Sequence, residues 1–145
     1  MSFSGDIRQF VKKCGDNADL VTRRLVLDVG RSLVERTPVG NPDLWAKPAP
    51  PGYVGGMARG SWAHSIGTLD TKPIETVDAT GAASINRIAA SVPQKAAGLV
   101  HYIQNSLPYM QALEDGHSTQ APYGIVSRTE IEFQDKVQEA LRGLK

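Results

Sequence analysis

Three histidines are the residues of this sequence best suited to metal binding or proton transfer, but their spacing favours neither. His64, His101 and His117 lie far apart, and none belongs to a His-x-x-x-His pattern that would place two ligands on one helix face. His64 and His101 fall in two predicted strands and could converge across a sheet, where such pairs are more often hydrogen-bonded structural residues. We therefore expect no metal ion and no other cofactor.

The segment Glu114-Asp115-Gly116-His117-Ser118 contains an acid, a base and a hydroxyl nucleophile, the three groups of a hydrolytic triad. Neighbours in sequence at a helix end point in different directions, whereas a triad requires side chains that converge. Gly116 is better explained as the left-handed residue that ends a helix, with His117 near the helix carboxyl end. We expect no enzyme here. The alternative, a small hydrolase built on His101, Glu114 and His117, requires these groups to meet in a pocket.

The other chemically suggestive residues each have a structural explanation. The glycine-rich segment at residues 55–60 follows no predicted strand and lacks the Lys-Ser/Thr of a phosphate-binding loop. Cys14 has no Cys-x-x-Cys partner, and its place on an apolar helix face predicts a buried structural thiol. Arg23, Arg24 and Arg31 are interleaved with acidic residues, which is typical of a solvated mixed-charge surface. A DNA-binding regulator that uses these arginines remains an alternative.

Length and charge narrow the function classes further. A chain of 145 residues fits one domain, here residues 1–145, and its net charge of +1 argues against a dedicated phosphate-backbone binder. The amino terminus lacks the basic segment and apolar run of a signal peptide, and no segment approaches the roughly 20 apolar residues of a membrane span. We expect synthesis in a reducing cytosol and no membrane partner.

A long amphipathic helix is predicted at residues 7–33, because apolar residues recur there every three or four positions until Thr37-Pro38 ends the pattern. If it is continuous over about 30 residues, up to Thr37, such a helix is about 45 Å long. A globule of this chain length has a diameter of only about 40 Å. The helix therefore either breaks near Gly15 or projects at one end towards a neighbour.

The remaining elements predict an α+β fold, with a small, mainly antiparallel sheet packed against the long N-terminal and C-terminal helices. Strands are expected at residues 61–69, 73–77 and 99–104. Helices are expected at residues 79–91 with Asp78 as cap, after Pro108, and as one last helix from Pro122.

A long loop, which we call the arm, covers residues 38–60, where ten of 23 residues are Gly or Pro. That density predicts no regular element, and a loop of this length is usually functional or disordered. Its apolar residues include Leu44, Trp45, Tyr53 and Met57. They predict either docking on a partner chain or folding back on the same domain.

Several segments in one order resemble a known family. Thr37-Pro38-Val39 precedes Gly56-Met57-Ala58-Arg59-Gly60-Ser61-Trp62, then Asn105-Ser106-Leu107-Pro108-Tyr109, and then Ala112-Leu113-Glu114-Asp115-Gly116-His117-Ser118 with Pro122-Tyr123-Gly124. Over residues 10–133 this order is similar to the neck proteins of long-tailed bacteriophages, the tail-completion or head-tail joining group of tail components. This chain departs from that pattern at residues 40–55, where many relatives have a short turn, and at Met110, usually a small residue.

The resemblance implies a structural virion protein, made in the host bacterial cytoplasm and located in the phage neck or tail. It implies a homo-oligomeric ring, with a hexamer expected, between the portal, connector or stopper protein on the head side and the tail tube or tail terminator protein. Genomic DNA would pass through the ring without sequence-specific binding, which suits a nearly neutral chain. A tail-tube terminator or another minor tail protein is the alternative. The predicted assembly contacts are Trp45, Tyr53, Met57, Arg59, Trp62, Leu107, Pro108, Tyr109, Leu113, Glu114, Gly116, His117 and Ser118.

Overall fold

One helix, α1 (Phe3–Arg36), runs without interruption through the first quarter of the computed structural model, which describes residues 3–144. Its 34 residues span about 50 Å. The predicted alternative of a break near Gly15 is wrong. One glycine costs a helix only about 1 kcal/mol, and the Lys12–Asp16 ion pair, at 2.5 Å, links the turns on either side of it. The other alternative, a projecting end, describes the structure.

Short elements follow α1 in the order helix, strand, helix, strand and three helices. They are α2 (Met57–Gly60), β1 (Ala63–Ile66), α3 (Ala82–Ser91), β2 (His101–Gln104), α4 (Met110–Glu114), α5 (Val126–Ile131) and α6 (Phe133–Arg142). A single 3-10 turn, Pro42–Leu44, lies in the arm. The prediction of no regular structure at residues 38–60 is therefore wrong at this turn and at α2. The α+β class is confirmed.

The sheet consists, within residues 3–144, of β1 and β2 paired antiparallel, with Ala63 opposite Gln104 and Ile66 opposite His101. Both strands are shorter than predicted. The strand predicted at residues 73–77 is wrong. Its backbone lies against α2 instead of pairing in the sheet. The two backbones are so close that a Cβ atom at Gly60 would stand 1.8 Å from the Thr76 carbonyl oxygen, so only glycine fits there.

Side chains set the ends of the later helices. Asp78 caps α3 as predicted, because its carboxylate accepts hydrogen bonds from the backbone amides of Gly81 and Ser84. The helix itself begins at Ala82, three residues later than predicted. The single last helix is wrong, since α5 and α6 are separated at Glu132. The Glu132 carboxylate pairs there with Arg36 at the end of α1.

The core lies against the C-terminal half of α1. Val34 and Leu33 pack with Trp62, Ile88 and Ile125 in the larger cluster of buried side chains. A second cluster joins the same half of α1 to the segment after α3, through Val26, Val92 and Ala96.

The N-terminal end of α1 is uncovered. Ile7, Phe10 and Val11 are exposed by 47%, 68% and 62%. Cys14 is also exposed, so the prediction of a buried thiol is wrong, although its helix face is apolar as predicted. None of the described helices combines the length and apolar character that crossing a membrane requires.

Candidate assembly surface

The arm leaves the end of α1 and returns to nearly the same place. A Cβ atom at Gly55 would stand 2.6 Å from the Gly40 carbonyl oxygen, so the backbones at the two ends of the excursion touch. Between them the Asn41 side chain accepts a hydrogen bond from the Asp43 amide, which starts the 3-10 turn. The arm is therefore a closed loop attached at a narrow base, with the geometry of an Ω-loop.

Two aromatic rings hold the arm together. The Trp45 and Tyr53 ring centroids lie 4.8 Å apart, edge to face. Both side chains stay accessible, Trp45 by 41% and Tyr53 by 38%. Of the two predicted alternatives, the structure has the arm folded back on its own domain, and the rings keep surface that another chain can contact.

A cavity of about 470 Å³, which we call the arm groove, lies between the arm and the segment around α4. The arm supplies Leu44, Trp45 and Tyr53, α2 supplies Met57, and the opposite side supplies Tyr109 and Leu113 with the loop after α4. Seven of the predicted assembly residues line this one groove: Trp45, Tyr53, Met57, Tyr109, Leu113, His117 and Ser118. Thr119 and Gln120 line it too but were not predicted as assembly contacts, because polar residues of a loop carry no signal for such a role.

The groove presents aromatic surface without a charged carboxylate or ammonium group among its lining residues. Burial raises the pKa of the Tyr109 phenol, and the nearby Tyr53 raises it further. The Tyr109 hydroxyl is therefore protonated across the physiological pH range. Apolar walls with a few hydroxyl groups suit the binding of an apolar side chain better than the activation of a water molecule.

Arg59 is used inside the chain rather than at its surface. Its guanidinium donates hydrogen bonds to the Thr37 carbonyl at 2.9 Å, the Ala79 carbonyl at 2.8 Å and the Glu35 carbonyl at 3.3 Å. Two of these acceptors are at the C-terminal end of α1, where carbonyl groups lack helical partners. Arg59 thus caps α1 and ties it to the segment before α3.

Trp62 and Leu107, both predicted as assembly contacts, are buried within the chain, with 3% and 7% of their surface exposed. The Trp62 indole donates to the Thr37 hydroxyl at 2.7 Å. The Thr37 hydroxyl in turn donates to the Leu33 carbonyl. Pro108 is exposed at the turn before α4.

Glu114 holds α5 in place. Its carboxylate accepts hydrogen bonds from the backbone amides of Ile125, Val126 and Ser127 at 2.7–2.9 Å, and from the Ser127 hydroxyl. Burial raises the pKa of Glu114, but the bonds from Ser127 and its two neighbours outweigh that effect, so the pKa lies below its usual value. This side-chain cap was missed, because its partners lie eleven or more residues along the chain. Gly116 has the predicted left-handed geometry, with φ of 82°.

The predicted histidine pair does converge, and it is saturated with hydrogen bonds. His101 Nε2 donates to the Ala96 carbonyl at 2.8 Å, which leaves His101 Nδ1 to accept from His64 Nε2 at 2.9 Å. His64 Nδ1 contacts the Ser91 hydroxyl at 2.7 Å. Burial lowers the pKa of His64, and repulsion from His101 lowers it further. His64 is therefore neutral at pH 7, and the hydrogen bonds of both rings to their own chain make the pair structural.

The groups of the alternative hydrolase do not meet. His101 is engaged at the sheet, Glu114 at α5, and His117 lines the arm groove. Among the residues that the structure describes, no cluster of three His, Cys, Asp or Glu side chains could hold a metal ion.

The arginines of the alternative DNA-binding surface are partly occupied within the chain. Arg23 donates to the Gln94 side chain at 2.9 Å, and Arg24 lies 3.5 Å from Asp28.

No family model, curated protein or solved structure matches this chain.

Proposed function

We propose that this chain is a structural protein of the neck of a long-tailed phage, where copies of it assemble into a ring between the head connector and the tail tube. The ring, with a hexamer expected, seals the head vertex and leaves an axial channel for DNA. The protein acts through shape and contact, without chemistry. The motif order from Thr37-Pro38-Val39 to Pro122-Tyr123-Gly124 suggested this family.

One structural observation carries the proposal: two apolar surfaces stay uncovered at different places on the chain. One is the projecting end of α1, and the other is the arm groove. Monomeric proteins seldom leave such surfaces exposed without a partner. Two different surfaces on one chain also permit head-to-tail contacts, which close into rings.

The net charge of +1 agrees with a channel protein of this kind. DNA has to slide through the ring, and a strongly basic lumen would retain the phosphate backbone.

The first test is the mass of the purified full-length chain, measured by light scattering and accompanied by negative-stain imaging, alone and with connector complexes. We expect a closed ring, either free or on the connector. A protein that remains monomeric in both settings would contradict the proposal.

The touching ends of the arm allow a sharper test. Deleting residues 41–54 joins Gly40 to Gly55, whose backbones are already in contact, so the rest of the fold is expected to survive. The deletion removes Trp45 and Tyr53 and with them one side of the groove. We expect a folded monomer by circular dichroism that neither forms rings nor yields tailed particles in phage complementation. Normal tailed particles from this variant would overturn the proposal.

A further inference from the structure

We propose that the apolar stripe at the projecting end of α1 in one copy of this chain docks into the arm groove of the next copy. The stripe consists of Ile7, Phe10, Val11 and Cys14, and we call it the α1 stripe. This inference rests on the proposed function and names the contact that would close the ring.

The α1 stripe has the pattern of a helix that binds in a groove. Its residues occupy positions i, i+3, i+4 and i+7 of one continuous helix, and all four side chains are exposed. Amphipathic helices that lie in apolar grooves use anchors at these positions. The stripe is also free of crowding at its C-terminal side, since nothing lies within 4 Å of a Cβ atom placed on Gly15.

A chain cannot fill its own groove. The arm begins directly after α1, and Pro38 and Gly40 line the groove. From Phe10 to Thr37 an unbroken helix covers about 40 Å. The stripe and the groove of one copy are thus held at opposite ends of a rigid rod. The contact must therefore form between copies, and because the two surfaces differ, it is head-to-tail.

Charge at the two surfaces is complementary. Arg8 and Lys13 flank the α1 stripe and form no ion pair within the described residues, whereas Asp16, the acid nearest Lys13, is paired with Lys12 and Lys95. At the groove, Asp43 adjoins the lining residue Leu44 in sequence and also forms no ion pair within the described residues. Glu114 and Arg59 adjoin lining residues too, but both are hydrogen-bonded within the chain. The free cations of the stripe can therefore lie against the free carboxylate of Asp43, which favours this contact electrostatically.

The small size of the contact favours a closed ring over an isolated dimer. The contact comprises four side chains and one groove, whereas a stable pairwise interface involves roughly 20 to 30 residues on each side. In a ring each copy makes the contact twice, once with its stripe and once with its groove, so closure adds avidity without any new contact.

Complementation of two variants tests the contact. Phe10→Asp removes the stripe's large aromatic anchor, and Trp45→Asp damages the arm and its groove while leaving the stripe intact. We expect each full-length variant alone to be a folded monomer with an unchanged circular dichroism spectrum. An equimolar mixture should form no ring and only a weak heterodimer that appears at high protein concentration, because each pair contains one intact stripe and one intact groove. Leu20→Asp is the matched control, exposed on α1 outside the stripe, and should keep the ring.

Cysteine cross-linking tests whether the α1 stripe of one copy lies in the arm groove of the next. Cys14 is the only cysteine of the chain and lies on the stripe, and Thr119 lines the groove. Oxidised Thr119→Cys should give a ladder of covalent multimers up to the mass of the ring. The same variant carrying Cys14→Ser should give none.

The outcomes separate the two proposals. Rings that persist in Phe10→Asp, or dimers linked through Cys14 alone in the oxidised wild-type protein, would overturn the stripe-to-groove contact and leave the ring standing. Absence of any ring in the wild-type protein, free or on connector complexes, would remove the proposed function and this contact together.

Discussion

The two halves of α1 have the same local structure and opposite surroundings. Residues 16–36, which we call the covered half, carry Val26, Leu33 and Val34 into the core. Residues 3–15, the projecting half, carry apolar side chains that remain in solvent. A helical period therefore shows which face of a helix is apolar, but it does not show what covers that face.

Long-range polar contacts follow the same division. In the covered half, Asp19 accepts a hydrogen bond from the Ala97 amide at 3.0 Å, and Arg36 pairs with Glu132. In the projecting half, the Lys12–Asp16 pair joins two turns of the same helix. The covered half is thus fixed by tertiary structure, whereas the projecting half depends on helix propensity and on whatever partner it binds.

The largest expected difference between the halves comes from one substitution made in each. Val34 is fully buried and Val11 is 62% exposed. Val34→Ala should lower the free energy of unfolding by about 2.5 kcal/mol, through lost burial and the cavity left behind. Val11→Ala should leave it unchanged or raise it by about 0.5 kcal/mol, because alanine is the better helix former. Urea denaturation of both variants, measured on monomeric protein, checks this.

If Val34→Ala and Val11→Ala lowered the free energy of unfolding equally, the projecting half would be covered within the monomer. That result would contradict the division of α1 into two halves.

A smaller effect is expected from Glu114, which holds α5 against the covered half. Glu114→Gln keeps one acceptor oxygen and loses the charge, so it should cost about 1 kcal/mol at pH 7. Asp115→Asn, at the exposed neighbouring carboxylate, should change stability by less than about 0.5 kcal/mol. Amide exchange should accelerate in α5 of the Glu114 variant and stay unchanged in the projecting half.

The effect of Glu114 depends on pH in a definite direction. Its pKa in the folded chain lies below the usual value, so the folded state binds its proton more weakly than the unfolded state. The carboxylate therefore contributes its full stability above the pKa of an unfolded glutamate, about 4.3. That contribution is lost as the pH falls through the lower, folded pKa. Wild-type and Glu114→Gln stabilities should converge as the pH falls below the ordinary glutamate pKa, and a difference independent of pH would contradict this cap.

The residues that cap or end a helix were predicted correctly from the sequence where they bond to near neighbours in the chain. Gly116 adopts the left-handed geometry that ends α4, and Asp78 caps α3, because in both cases the partners lie within a few residues. Contacts over longer distances were not predictable in this way. The segment at residues 73–77 has a strand-like composition, yet it packs on Gly60.

The candidate site was predictable only in part, because residue type does not show which side chains the fold brings together. Tyr53 was singled out as an apolar residue of the arm and Tyr109 through the motif that it shares with the neck proteins, and the structure places both at one groove. Arg59 was singled out with them, although its guanidinium caps the end of α1. Residue type indicated that these side chains matter, but only the fold distinguishes surface contacts from internal ones.

The last comparison of the two halves uses one glycine in each, and here the change in the projecting half is expected to be stabilising. At Gly15 a Cβ atom meets nothing within 4 Å, so Gly15→Ala should stabilise the helix by about 1 kcal/mol. At Gly30 a Cβ atom would stand 3.1 Å from Ile88, and overpacking there costs about 1–3 kcal/mol, which cancels or exceeds the same gain. Thermal unfolding should therefore rank Gly15→Ala above Gly30→Ala. The opposite order would mean that the projecting half, rather than the covered half, is the crowded one.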